Sequence, residues 1–192
     1  TMPKAIGELA NQMLHRPVEV DISPEAPTTD RIEQYIAFVQ KADKRQLLID
    51  LIEGQMVACG IVFTRTKHGA NRLAKQLSKV GIPSDSIHGD KSQTARTRAL
   101  NAFRNGDVFI LVATDIASRG IDVEDITHVS NFDLPNEPEV YIHRIGRTAR
   151  AGRDGLAYSF CDETESGYLV GIQRLLGEEI EVLEGQPYHF EK

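Results

Sequence analysis

The sequence predicts an α/β fold in which a parallel β-sheet lies between two layers of helices. Two short runs, CGIVFT at 59–64 and VFILVAT at 108–114, are almost wholly apolar, as strands are when helices cover both faces of a parallel sheet. Around these runs, apolar residues recur at helical spacing. Strand and helix therefore alternate along the chain, and this alternation implies right-handed crossovers within one sandwich.

The chain before residue 31 is predicted to form a separate piece. Apolar residues at helical spacing indicate a helix over residues 4–14. Residues 18–22 have the pattern of a short strand. Residues 23–30 carry two prolines among polar side chains, which is typical of a linker.

From residue 31 onward, strands are expected to alternate with helices, and ligands in such folds bind beyond the carboxyl ends of the strands. Glycine is expected to end two of the helices, at Gly81 and at Gly177. The predicted strands cover residues 32–39, 59–64, 84–89, 108–114, 127–133 and 156–162. The predicted helices include residues 44–52, 70–77, 95–103, a segment from about 138, and 168–176.

Length, charge and cysteine content narrow the class of protein. A chain of 192 residues suits one domain with a short flanking piece. The net charge of −6 arises within residues 161–192, where eight acidic residues accompany two basic ones, so the remainder is balanced and can carry a local basic groove. Cys59 and Cys161 have no metal-binding neighbours, and no apolar run reaches the roughly 18 residues of a membrane span. We therefore expect a cytoplasmic protein without a membrane segment or a metal site.

The stretch YIHRIGRTARAGRDG, residues 141–155, concentrates positive charge. Arg144, Arg147 and Arg150 recur every three residues beside His143, a spacing that would place them on nearly one helical face. Arginine is permanently charged and binds phosphate oxygens through paired N–H donors. The alternative is a solvated helix end, where the helix dipole favours cations.

Four segments of the sequence resemble, in family order, the motifs of the DEAD-box RNA helicases of superfamily 2. The residues in these motifs are most similar to those of the bacterial RhlE-like subgroup. Ala149 stands where many members have glycine, and alanine is small enough to keep the close approach of the backbone. Each motif is expected to begin where a strand ends. The segments are VFTRTK at 62–67 for motif IV, HGDKSQTAR at 88–96 for motif IVa, ATDIASRGIDV at 113–123 for motif V and HRIGRTARAG at 143–152 for motif VI.

The resemblance implies a RecA-like fold and a division of the chain into three parts. Residues 31–192 would form the C-terminal RecA-like domain of a helicase. Residues 23–30 would be the interdomain linker, and residues 1–22 a remnant of the end of domain 1. The family's phosphate loop and Mg²⁺ ligands lie in domain 1, and no GxxxxGK[ST] or Asp-Glu-Ala-Asp run occurs in this sequence. We expect this fragment alone to be inactive, with ATP and Mg²⁺ bound by the full-length protein.

By the same resemblance, motif VI supplies the catalytic groups of this domain. Arg147 and Arg150 would be arginine fingers that stabilise charge on the γ-phosphate of ATP. The alternative for both is a salt bridge with Glu137 or Glu139. His143 would form a hydrogen bond across the domain interface and so couple ATP to RNA. The alternatives for His143 are a catalytic base and a satisfied core histidine.

Motif V is expected to contact the nucleotide as well. Gly120 would allow a close approach of the backbone, and Asp122 would accept hydrogen bonds from the ribose hydroxyls. The alternative for Asp122 is a turn carboxylate that bonds its own backbone. Arg144, in contrast to the two fingers, is expected to pair internally.

The contacts with RNA implied by the resemblance are to its backbone and not to its bases. Phosphates and 2′-hydroxyls would be touched by polar groups of six residues. These groups are a backbone amide, a guanidinium, an amide side chain, two hydroxyls and a carboxylate. Helix capping is the alternative for the residues that follow strands. The sequence has no tryptophan, which argues against a base-stacking platform. The predicted RNA contacts are Thr66, Gly89, Gln93, Arg96, Thr114 and Asp115.

The resemblance as a whole implies the second RecA-like domain of an ATP-dependent RNA helicase. In the full-length protein, ATP hydrolysis would be coupled to local unwinding of an RNA duplex. The expected partners are RNA, ATP and helicase domain 1 of the same polypeptide. Two alternatives stay open at this point: a RecQ-like DNA helicase, because RAGRDG is similar to a segment of that family, and a non-catalytic binding module.

Overall fold

A computed structural model describes residues 4–18, 31–55, 59–118, 126–150 and 152–189 of the chain. Within these ranges, strands and helices alternate as the sequence predicts. The described strands form one sheet of seven strands, and every pair of neighbouring strands in it is parallel. The predicted α/β fold is therefore confirmed.

The elements are numbered in chain order. The strands are β1 (Ile32–Phe38), β2 (Gly60–Phe63), β3 (Ser84–Ile87), β4 (Ile110–Ala113), β5 (His128–Asn131), β6 (Gly155–Cys161) and β7 (Glu181–Val182). The helices are α1 (Lys4–Met13), α2 (Lys44–Gln55), α3 (Lys67–Lys79), α4 (Gln93–Arg104), α5 (Asp115–Ser118), α6 (Pro138–Ile145) and α7 (Ser166–Leu176).

Three short elements were not predicted from the sequence: the single-turn helix α5, the two-residue edge strand β7 and a 3₁₀ turn at Glu163–Glu165. Helix α7 ends as predicted, because Gly177 adopts a left-handed conformation with φ of 77°. The strand predicted over 18–22, apart from its first residue, and the linker predicted over 23–30 lie outside the described residues.

The sheet has the order β3-β4-β2-β5-β6-β1-β7. On one face, α2 and α3 pack through Leu47, Leu73 and Leu77. On the other face, Phe103 of α4 packs over the β2–β4 half of the sheet, while α6 and α7 cover the β1–β6 half, where Tyr141 is fully buried. Because all seven strands are parallel, their carboxyl ends lie at one edge of the sheet, with loops from both helical layers around it.

A buried group of charges joins α2 to the segment that follows β6. The Lys44 side chain is fully buried, and its Nζ lies 2.5 Å from Glu165 Oε2 and 3.1 Å from Asp162 Oδ2. Glu165 Oε1 accepts from Arg65 Nη2 at 2.6 Å and from the backbone N–H of Leu134 at 3.1 Å. Burial acts to raise the pKa of Asp162, but a hydrogen bond from Thr164 and the charge of Lys44 outweigh burial and lower it.

Helix α1 stands apart from this core. Its apolar residues Ile6, Leu9 and Met13 are 49%, 50% and 76% exposed, so the stripe predicted from their spacing belongs to none of the described core clusters. Among the described residues, no helix is both long and apolar enough to cross a membrane.

Candidate functional site

Polar residues follow five of the parallel strands at the carboxyl edge of the sheet. Thr64 follows β2, His88 follows β3, Thr114 follows β4, Asp133 follows β5 and Asp162 follows β6. Three of the four motif segments lie at these strand ends, as predicted. The fourth, motif VI, begins inside α6, so the expectation that each motif starts at a strand end was wrong for this one.

The helix that carries motif VI ends earlier than the arginine spacing suggested. Helix α6 begins with Pro138 in its first turn and ends at Ile145, with Gly146 as its C-cap. Only Arg144 lies within the helix, whereas Arg147 and Arg150 lie in the turns that follow it. The prediction of three arginines on one helical face was therefore wrong, because Gly146 ends the helix between them.

Arg144 is buried, with 2% of its surface exposed. Its Nε and Nη2 donate to the two carboxylate oxygens of Asp115 at 2.6 and 2.9 Å. Its Nη1 donates to Asn131 Oδ1 at 3.0 Å and to the backbone carbonyl of Asp133 at 2.7 Å. The guanidinium also lies 5.0 Å from the centre of the Phe63 ring. The expected internal pairing of Arg144 is confirmed.

The same ion pair already engages the carboxylate of Asp115, which is one of the predicted RNA contacts. Both of its carboxylate oxygens accept from Arg144, although 40% of the Asp115 side chain stays exposed. Thr114, its neighbour, accepts backbone hydrogen bonds from Ala117 and Ser118 through its carbonyl and is half-buried. Contact between either residue and RNA remains a prediction.

Arg147 and Arg150 are each held to the backbone by one bond from Nε. Arg147 donates to the carbonyl of His143 at 3.3 Å, and Arg150 donates to the carbonyl of Gly146 at 3.1 Å. Burial and the nearby charge of Arg150 lower the pKa of Arg147. Within the described residues, Arg147 has no ion pair with Glu137 or Glu139. Two adjacent, partly buried cations favour a bound anion at this position.

The turn between α6 and β6 is held by Thr148. Its Oγ1 donates to the carbonyl of Ile126 at 2.6 Å. Gly155, the first residue of β6, packs so closely that an added Cβ would lie 2.5 Å from the Thr148 side chain. Between them, Ala149 has a φ of 55°. The small size of alanine is therefore not the whole explanation for position 149, where many family members have glycine. The backbone there is left-handed, and glycine adopts that conformation most readily.

We predict that Ala149→Gly stabilises the domain by up to about 1 kcal/mol. The left-handed conformation costs a residue with a Cβ roughly 1–2 kcal/mol, and the greater freedom of glycine in the unfolded chain offsets part of the gain. Urea denaturation measures the difference. Gly177→Ala is the control, because the reverse change at φ of 77° should destabilise the protein. A loss of stability in Ala149→Gly would contradict the assignment of strain.

The loops of motifs IV and IVa meet beside the start of α3. Thr66 is the N-cap of this helix, and its Oγ1 accepts from the backbone N–H of Gly69 at 3.0 Å. Lys67 forms an exposed salt bridge of 2.5 Å with Asp90, which follows Gly89. No atom of another residue lies within 4 Å of the Cβ position of Gly89. Space beside Gly89 is therefore open, while contact between its amide and RNA stays a prediction. Thr66 caps the helix, which is the alternative predicted for it.

The first turn of α4 presents two further predicted contacts. Gln93 is exposed, and Arg96, one turn later, is half-buried. Arg96 Nη2 donates to the carbonyl of Ala117 at 3.4 Å, which brings its guanidinium beside the segment of motif V. The structure thus brings together, around one edge of the sheet, the loops that carry Thr66, Gly89 and Arg96.

Other predicted residues are placed less completely. Gly120 and Asp122 lie outside the described residues. His143 is exposed in the last turn of α6. His88, for which no role was predicted, is buried, and its ring nitrogens have no hydrogen-bond partner within the described part of the chain. Burial and the charge of Lys91 lower the pKa of His88.

Arg65 is a site residue that the sequence analysis missed. Its backbone N–H donates to Asp133 Oδ2 at 2.8 Å, and its guanidinium joins Glu165 and lies 5.3 Å from the centre of the Tyr168 ring. Its position two residues after the end of a buried strand was a usable signal, because such a position lies at the carboxyl edge of the sheet.

The chain matches the family model described as the helicase conserved C-terminal domain over residues 43–152. It is 42% identical over 174 residues to the DEAD-box ATP-dependent RNA helicase CshA of Geobacillus kaustophilus, an alignment that covers 91% of this chain and 37% of that protein. The chain thus spans little more than a third of the length of this curated relative.

Two solved structures support the comparison. The structure of the E. coli DEAD-box protein SrmB bound to the regulator of ribonuclease activity A has a TM-score of 0.78 and 36% identity, covering 84% of this chain and 95% of that one. The structure of S. cerevisiae Dbp5 bound to RNA and ADP BeF3 has a TM-score of 0.84 and 32% identity, covering 95% of this chain and 49% of that one. The RecA-like fold is confirmed by these likenesses.

Proposed function

From the premise that this chain belongs to the helicase C-terminal domain family of the DEAD-box proteins, we propose that it is the second RecA-like domain of an ATP-dependent RNA helicase. In the full-length protein, domain 1 would bind ATP and Mg²⁺, and this domain would complete the hydrolytic site and hold the RNA backbone. The relatives named as RNA helicases favour this proposal over the RecQ-like and non-catalytic alternatives.

The observation that carries the nucleotide part of the proposal is the pair Arg147 and Arg150. Both guanidiniums are tethered through Nε, and the lowered pKa of Arg147 reflects burial beside a like charge. A γ-phosphate would relieve this repulsion, and it would gain most when charge redistributes in the transition state. Gly120 and Asp122 would contact the ribose side of the same nucleotide, and His143 would face the domain interface. Mg²⁺ would be held by residues of domain 1.

The RNA part of the proposal rests on the arrangement of Thr66, Gly89 and Arg96 at one edge of the sheet. Gly89 has open space at its Cβ position, which leaves room for a strand to approach its backbone. Arg96 offers a guanidinium held beside motif V, and Thr66 a hydroxyl. Gln93 and Thr114 would add polar contacts, and Asp115 would act through its exposed edge. Such groups bind phosphates and hydroxyls without reading bases.

Three finer assignments complete the proposal. Residues 31–192 form the helicase domain, residues 23–30 the linker and residues 1–22 the end of domain 1. The exposed apolar stripe of α1 supports the last of these, since it is part of no described core cluster of this domain. We also assign the protein to the cytoplasm. The residues of its motifs lead us to assign it to the RhlE-like subgroup.

We expect this chain to bind single-stranded RNA weakly, with no sequence preference and with a strong dependence on salt, because phosphate contacts dominate. Arg96→Ala should weaken binding about equally for unrelated sequences. Fluorescence anisotropy at several salt concentrations measures both effects.

Arg98→Ala is the matched control for this experiment. Arg98 lies on the same helix and is exposed, but two residues along a helix point to different faces. Its replacement should change RNA binding little. A sharp preference of the wild-type chain for one sequence, or equal losses in the two variants, would count against backbone recognition at the predicted site.

A further inference from the structure

A cleft of about 520 Å³ opens at the carboxyl edge of the sheet, beside the site described above. It lies between the first turns of α2 and α3, at the ends of β2 and β5. Its floor includes Thr64 and Phe132, and Thr66 lies at its rim. Arg147 and Arg150, the described residues proposed to contact ATP, do not line this cleft.

The walls of the cleft are strongly basic. Lys41 and Arg45 line it from the start of α2, and His68 and Arg72 line it from α3. All four are exposed. Among the described residues, none of the four has a side-chain hydrogen bond or a salt bridge.

Opposite charge within the cleft is already engaged. The one carboxylate that lines it, Asp133, accepts from the backbone N–H of Arg65 at 2.8 Å. Arg65 itself pairs with Glu165, outside the cleft. Lys41, Arg45 and Arg72 therefore outnumber the single carboxylate among the described residues that line the cleft, and His68 adds ring nitrogens that can donate. Such a concave cationic surface raises the local concentration of anions and favours a ligand that carries several negative charges.

The cleft is continuous with the predicted RNA contacts. Thr66 belongs both to its rim and to those contacts. The next residue, Lys67, bridges to Asp90, which follows Gly89. Phosphate-binding groups thus extend from Gly89, past the start of α3, to Arg72.

We infer that this cleft binds phosphates of the same RNA strand, beyond those held by motifs IV and IVa, and so lengthens the footprint of the domain on one flank. The inference rests on the proposed function, because it needs RNA at Thr66 and Gly89. Continuity selects RNA over an acidic protein: a strand held at Thr66 leads directly between Arg45 and Arg72.

The test compares two lengths of unstructured RNA on this chain, about 6 and about 15 nucleotides, by fluorescence anisotropy. In the variant Arg45→Glu/Arg72→Glu, affinity for the longer RNA should fall by about 10-fold or more, and that for the shorter RNA by about 2-fold or less. The slope of log affinity against log salt for the longer RNA should decrease by about 1.4, since each lost phosphate contact contributes about 0.7 on a single strand.

The control variant is Lys75→Glu/Lys79→Glu, which makes the same change of charge at exposed positions of α3, the helix of Arg72, that do not line the cleft. It should lower the affinity for the longer RNA by about 2-fold or less, and thermal melting checks that both variants are folded. Equal losses in the two double variants would overturn the inference, since net charge would then explain them.

Two further outcomes separate this inference from the proposed function. If the cleft variant binds the longer RNA like wild type while Arg96→Ala weakens both lengths, the inference fails and the proposed function stands. If wild type binds neither RNA, both fail together. If the cleft variant loses affinity for inorganic polyphosphate but not for the longer RNA, the cleft serves a different polyanion and the inference is wrong.

Discussion

Replacing Arg150 with lysine in the full-length protein is expected to lower kcat for ATP hydrolysis by about 10³-fold. A finger at the γ-phosphate acts mainly on the transition state, so KM for ATP and the affinity for RNA should change far less. Lysine keeps the charge but loses the planar fork of donors, and it has no Nε–H to hold the bond to the Gly146 carbonyl. Steady-state kinetics with saturating RNA measures both constants.

Arg153→Lys provides the control, because Arg153 lies beyond Gly152 and has no proposed contact with the nucleotide. It should retain turnover within about 2-fold. If Arg150→Lys raised KM alone, or left kcat within a few-fold of wild type, the assignment would be wrong and Arg147 would become the finger. The isolated chain should hydrolyse no ATP in any of these variants.

Replacing Lys44 with methionine is expected to destabilise the domain by about 3–5 kcal/mol. Methionine fills most of the volume, but it leaves the buried carboxylates of Glu165 and Asp162 without the cation that lies 2.5 and 3.1 Å from them. A loss of this size is a large part of the roughly 5–15 kcal/mol that stabilises a typical domain. Chemical denaturation at neutral pH measures it.

Lys67→Met is the matched control, since Lys67 forms a salt bridge of the same 2.5 Å length with Asp90 but on the surface. Its loss should cost no more than about 1 kcal/mol. The penalty of Lys44→Met should shrink on acidification. In wild type the lowered pKa of Asp162 gives stability that is present above the unfolded value and lost as pH falls through the folded one. In the variant, burial would raise that pKa, so the carboxylate would be neutralised at higher pH. Equal penalties for the two lysines would contradict the role given to burial.

Local patterns of the sequence were sufficient to predict most of the secondary structure. The apolar run that contains β2 and the periodic residues Ala70 and Leu77 of α3 lie where they were expected. Gly177 ends α7 through a backbone conformation that glycine adopts readily. These features depend on neighbours in the chain, so they can be predicted from short segments of the sequence.

Features that depend on contacts between residues far apart in the chain were not predicted from the sequence. Lys44 looks like a solvated charge in the sequence, yet its burial depends on a carboxylate 121 residues away. Internal pairing of Arg144 was expected, but its partner Asp115, 29 residues away, was not identified. The two-residue strand β7 is too short to show a period, and it exists because it pairs with β1. The strand order, with β1 between β6 and β7, is likewise set by tertiary packing.

The bond between Arg144 and Asp115 has a thermodynamic consequence for the two ligands proposed. Arg144 stands one turn before Arg147, and Asp115 directly follows Thr114. The pair is doubly hydrogen-bonded, and Arg144 is held further by Asn131. The segment of motif VI and the segment of motif V must therefore move together, unless this ion pair breaks. A nucleotide that shifts one segment must then shift the other, and linkage requires the effect to be mutual. RNA should change the affinity for ATP by the same factor by which ATP changes the affinity for RNA.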